Sequence, residues 1–303
     1  MIDPAALDVD SPSPTAPRRT GLLIAAVLMT LVAWASAFVV IRGVRGSFEP
    51  GAMALGRLVV GSVALGAVLL IRGVWVRPSG REWALISVCG VAWFAGYTIA
   101  LNAAEQRVDA GTASMLVNVG PVLIALLAGV LLGEGFPRWL LIGAAVAFSG
   151  AALIGIGTTG AAGSDSTGVL LCLLAATAWA VGVLAQKPAL RRLSALQVTA
   201  MACIIGALAC LPFAGHLVSD VRGASPGALA GLLYLGLVPT AVAFGTWAYA
   251  LSVMTAGSLG VTTYLVSPLT VLGAWVLLHD APPPLALAGG ALALVGVALT
   301  RRR

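Results

Sequence analysis

AWASAFVVIR, residues 33–42, and AWAVGVLAQK, residues 178–187, begin on the same triplet, end on a cation and lie 145 residues apart. A second pair keeps almost the same distance. Ala110-Gly111 leads to Pro121 and then to Val130-Leu131-Leu132-Gly133-Glu134. Ala256-Gly257 leads to Pro268 and then to Val276-Leu277-Leu278-His279-Asp280, with the ends of the two stretches 146 residues apart. Gly143 and Gly289 continue that register. The chain is therefore read as two copies of one unit, residues 21–157 and 168–300, joined by a Gly/Ser/Thr-rich linker at 158–167.

The solvent of each unit follows from composition. Of 303 residues, 60% are hydrophobic and only 9% charged, against about 25% charged in a soluble domain, and the mean hydropathy is +1.03. So few charges cannot cover a folded surface in water. Apolar runs of roughly 20 residues recur, each long enough to cross a ~30 Å hydrocarbon core as a helix. They are continuous rather than alternating, which excludes a transmembrane barrel. The fold class expected is all-α integral membrane, with ten transmembrane helices near 21–41, 50–71, 83–104, 110–132, 138–157, 168–187, 196–215, 227–251, 257–278 and 284–300.

Five spans per unit is an odd number, so the two units must sit in the bilayer with opposite orientation, as inverted repeats. Such repeats around a midplane site are the architecture of many secondary transporters. With a cytoplasmic amino terminus, twelve Lys and Arg fall on the cytoplasmic side and four, Arg42, Arg45, Arg107 and Arg222, on the outer side. The positive-inside rule then places both termini in the cytoplasm. Residues 1–20 read as a disordered tail and 301–303 as a basic one. Arg18-Arg19, an apolar stretch and Ala35-Ser36-Ala37 look like a secretory signal, but the apolar run continues to Ile41, so an uncleaved first helix is preferred.

Several side chains are candidates for a substrate site. Pro121 and Pro268 stand in mid-span, where a missing N–H leaves backbone groups that a neighbouring helix or a watery cavity must satisfy. These prolines are the expected hinges. Asn118 lies just before the first, Tyr264 and Ser267 just before the second. Trp34, Tyr97, Trp179 and Trp247 are candidate cavity-lining aromatics; Trp93 shares a helix face with Tyr97. Arg57 is the full charge well inside a span and a candidate contact for a substrate carboxylate, with snorkelling to headgroups as the plainer reading. Glu105 and Glu134 sit at span ends, where loop or capping roles are expected.

The net charge of +6 is scattered through short loops and tails, so no nucleic-acid partner is expected. No phosphate-binding G-x-x-x-x-G-K-[ST] occurs, His216 and His279 lie in separate loops, and the four cysteines show no metal-ligand spacing. No cofactor, no metal and no enzymatic activity are expected. Gly143, Ala147, Ala151 and Gly155 form a small-residue ladder, read first as internal packing and second as a homodimer contact.

Together these motifs resemble the EamA-type family of the drug/metabolite transporter superfamily, over roughly residues 21–300. Trp34-Ala35-Ser36-Ala37-Phe38 is similar to the family's motif in the first helix, and Ala110 through Pro121 to Gly133-Glu134 to its fourth-helix signature. Thr240-Ala241 through Trp247-Ala248-Tyr249-Ala250-Leu251 and the run to Pro268 match its eighth and ninth. Leu278-His279-Asp280 departs from the usual Gly-Glu. The resemblance implies a central cavity, to which Ser36 is added as a candidate, alternating access and an exporter role. The function expected is a secondary transporter of small organic solutes, amino acids or related metabolites, in the plasma membrane. A lipid-acting membrane enzyme and a passive channel or scaffold subunit are the alternatives.

Overall fold

The computed structural model describes residues 16–73, 75–131, 138–159, 166–254, 256–280 and 282–299, and the regular structure among them is helical. The helices are α1 (Ala16–Val44), α2 (Pro50–Arg72), α3 (Gly80–Ala104), α4 (Ala110–Val117), α5 (Gly120–Leu131), α6 (Arg138–Thr159) and α7 (Ser166–Ala189). They continue with α8 (Ala195–Ala209), α9 (Leu211–Gly223), α10 (Pro226–Val253), α11 (Ala256–Thr262), α12 (Val266–Leu278) and α13 (Pro284–Leu299). Residues 16–20, assigned to the tail by composition, belong to α1. The rest of that tail, most of the linker, the C-terminal tail and Gly133-Glu134 lie outside the described residues.

Among the described residues five helices are long and apolar enough to cross a bilayer, or six if α8 and α9, bent by 53°, form one span. The expected ten are thus reached in part. The fourth and ninth candidates, Ala110–Ile124 and Thr263–Leu278 among the described residues, are shorter than a span, and the winding of each changes near its proline: residues 118–119 lie between α4 and α5, and a 3₁₀ turn at Thr263–Leu265 lies between α11 and α12. α6 and α13 count among the shorter apolar helices. The seventh stretch is not one helix either. It bends at Cys210, beside Pro212, whose ring nitrogen cannot donate to the ladder.

Packing follows the repeat. α6 and α13 run against each other so closely that a Cβ on Gly150 would meet backbone of Gly289 and Ala293, and one on Gly296 backbone of Gly143 and Ala147. Gly150 and Gly296 are 146 apart, as are Gly143 and Gly289, so the contacts exchange when the halves exchange. As residue numbers rise on α6 they fall on α13, which makes the contact antiparallel. Small residues are what let two membrane helices approach this way. Gly143 and Ala147 of the ladder are thus used within the chain.

On the other side of the bundle, Thr30 meets Thr246 at 2.7 Å and Ser36 meets Tyr234 at 2.7 Å, so α1 and α10 are also antiparallel. α3 and α10 hold equivalent places, and each contains a π-helical segment, Cys89–Tyr97 and Gly236–Val242. Such wide turns are rare and gather at functional sites. In α10 the cause is legible. Pro239 cannot bond the Leu235 carbonyl four residues earlier, and the Thr240 hydroxyl donates to it at 2.8 Å.

Two cations complete the correspondence. Arg42 Nη1 donates to the carbonyls of Glu105 at 2.7 Å and Val108 at 3.1 Å, beyond the end of α3. Lys187 Nζ donates to those of Leu251 and Met254, both at 2.6 Å, at the end of α10. Arg42 also pairs with Asp280 at 2.8 Å.

Candidate functional site

A cavity lies between the halves, lined by α1, α2, α3, α4, α7, α10 and the turn leading into α12. Trp34 and Trp179, equivalent in the two halves, stand edge to face with ring centroids 6.3 Å apart. Trp34 also meets Trp93 at 6.2 Å and Trp247 at 5.0 Å, and Trp93 stacks edgewise on Phe244 at 4.9 Å. Glycines make the room. A Cβ on Gly182 of α7 would strike Trp93, and one on Gly120 would strike the Trp179 ring. The space left is about 30 Å³, room for a water or two. The site is contracted.

Polar groups are few and well placed. Asn118, at the break after α4, donates its amide to Ser267 Oγ at 2.6 Å, joining the two broken helices. Arg57, 4% exposed, lines the cavity, and its Nε donates to Thr240 Oγ1 at 3.1 Å. Thr240 passes the bond on to Leu235. The proline break in α10 thus ends in a positioned guanidinium. The indole nitrogen of Trp179, a residue of the cavity wall, is buried without a hydrogen-bond partner. A buried donor left open in this way calls for an explanation, and a ligand's oxygen would supply one.

Of the residues expected from sequence, Trp34, Tyr97, Asn118, Trp179 and Arg57 line the cavity. Trp247 lies behind Trp34, and Ser267 reaches the site through Asn118. Ser36 does not line the cavity: its hydroxyl is taken by Tyr234 and the Ala33 carbonyl. Tyr264 lies outside the cavity lining, packed beside Val122 and Ala147. Pro121 is buried within α5, while Pro268 is exposed and lines a separate groove with Trp275. Snorkelling does not describe Arg57, which points inward. Ser114, Phe244, Thr263 and Thr240 were not singled out for the site. Pro239, the third mid-span proline, carried the signal for Thr240.

An aromatic cavity between two inverted helical repeats, wrapped in apolar helices, defines a multi-pass membrane protein built to handle a small solute. The profile of the EamA-like transporter family matches residues 20–156 and 166–302. The chain belongs to that family and is a transporter. It is 39% identical over 278 residues to the "Probable terminal-alkyne amino-acid exporter" of Streptantibioticus cattleyicolor, covering 92% of this chain and 93% of that protein. It is 30% identical to the uncharacterized transporter YdfC of Bacillus subtilis, over 88% of this chain and 87% of the other. An uncharacterized transporter of Archaeoglobus fulgidus is likewise 30% identical, over 93% and 97%. One solved crystal structure superposes with a TM-score of 0.67 at 23% identity, covering 93% of this chain and 96% of that one, which is a likeness of fold.

Proposed function

We propose that this chain exports small amino acids by alternating access, through ten membrane-crossing segments in two inverted units, in the plasma membrane with both termini in the cytoplasm. The observation that carries the substrate class is Arg57. It is a buried guanidinium in a cavity otherwise lined by aromatic and neutral groups. A guanidinium suits a carboxylate, and the indoles of Trp34 and Trp179 suit an ammonium group over their faces. The relative named as an amino-acid exporter supports the same class. Asn118 and Tyr97 complete the pocket, with Trp247 backing Trp34, and the breaks at residues 118–119 and 263–265 act as hinges for Pro121 and Pro268 to shape.

Alternating access is supported by the reciprocal packing of the halves and by the contracted cavity. A permanently open pore would need neither. The test is counterflow in proteoliposomes with labelled propargylglycine, an amino acid ending in a terminal alkyne. Saturable uptake accelerated by internal unlabelled substrate is expected, and Arg57→Ala should abolish it. Linear, non-exchanging flux would favour a channel instead.

A further inference from the structure

Glu105 stands just past the end of α3, one helical turn beyond Leu101, which lines the cavity. It is fully buried, and neither carboxyl oxygen has a hydrogen-bond partner. An unpartnered buried carboxylate is costly, so the side chain needs a reason to be there. The repeat supplies an internal control. The equivalent residue 146 positions on is Leu251, also fully buried, whose carbonyl is strapped by Lys187 as that of Glu105 is strapped by Arg42. The same turn, in the same environment of helix end and cation, therefore folds with leucine. The fold does not require the acid.

The groups around Glu105 come from each neighbouring element: Arg42 and Arg45 at the end of α1, Arg57 on α2, Tyr97 on α3, Asp109 before α4 and Cys172 on α7. Burial pushes the Glu105 carboxyl well above the ordinary carboxylate range, while Arg42 and Arg57 pull it down.

We propose that the Glu105 carboxyl is a proton-binding site of the transporter, held as the neutral acid one turn beyond the cavity-lining Leu101. The site rests on the burial of the carboxyl and its two open oxygens, and is independent of which substrate the cavity takes.

The proton site is tested without substrate, by infrared pH titration of the purified full chain. A protonated-carboxyl stretch is expected that is lost in Glu105→Gln and also in Glu105→Leu, the residue the second half carries. Both variants are checked for fold by circular dichroism and melting. A spectrum unchanged by either folded variant overturns the proposal. A wild type with the Glu105 band but no propargylglycine binding keeps the proton site and removes the amino-acid reading.

Discussion

Arg42 and Lys187, 145 residues apart, are one residue in two copies: each closes the C-terminal end of the equivalent helix of its own half by donating to two carbonyls. The last carbonyls of a helix lack partners within it and carry the negative end of its dipole, so a cation is the suited cap for both. Because the halves are inverted, the two caps lie at opposite ends of the bundle. Thr30 of α1 faces Thr246 of α10, more than a turn short of Leu251, whereas Arg42 lies twelve residues further along α1 in the other direction. That separates the straps by at least ~18 Å along the bundle.

Removing one strap should therefore open one end. Hydrogen bonds from a charged donor contribute about 1.5–3 kcal/mol each, enough to shift a two-state population by ten- to a hundredfold. Arg42→Ala and Lys187→Ala are expected to raise labelling of a cysteine placed at Asn118 by membrane-impermeant reagents, each from a different face of the membrane. Increased labelling from the same face in both variants would contradict the assignment.

Much of this was legible in the chain, for identifiable reasons. Repetition survives in sequence because both copies keep the tryptophan, the cation and the glycines that packing requires, so the halves and the fourth- and ninth-helix breaks could be placed. Helix direction at Arg57 could not. Whether a guanidinium seven residues from a helix end points to lipid headgroups or inward depends on rotation about the helix axis, and the deciding partner, Thr240, is 183 residues away. Rotation decides Ser36 as well: its motif is apparent, but the side chain turns toward Tyr234. The bend at Cys210 was hidden because the apolar pattern runs through it.

Pro239 tests how the π segment of α10 serves Arg57. Pro239→Ala restores an N–H that can reach the Leu235 carbonyl, displacing the Thr240 hydroxyl and letting the turn relax toward α-helix. Removing an interior proline can recover up to ~3 kcal/mol of helix stability. A higher melting temperature with weaker propargylglycine binding is expected, read by thermal shift and by tryptophan fluorescence. A variant that melts higher and binds as tightly as wild type would detach the proline from the site.

The contact between α6 and α13 is internal, and its glycines admit no side chain. Gly150→Val and Gly296→Val each press a branched side chain on opposing backbone, an overpacking cost of typically 1–3 kcal/mol or more. Both variants should melt lower, by similar amounts because the sites are reciprocal, and with no dependence on protein concentration. A melting loss that grows on dilution would point instead to a contact between two chains.

Glu105 also makes stability depend on pH in a direction opposite to the usual carboxylate. Burial raises its proton affinity in the folded chain above the unfolded value of about 4.3. The native state then binds more protons than the unfolded one, and stability falls as pH rises between those two values. Below the unfolded value the contribution is fully present; above the folded value it is gone. The melting temperature of wild type should thus decline as pH rises from about 4.3, and in Glu105→Leu, which has no proton to lose, that part of the slope should vanish. A slope the leucine leaves untouched would assign the dependence to other groups and leave Glu105 ionised like an ordinary surface acid, which a fully buried carboxyl without a hydrogen bond does not accommodate.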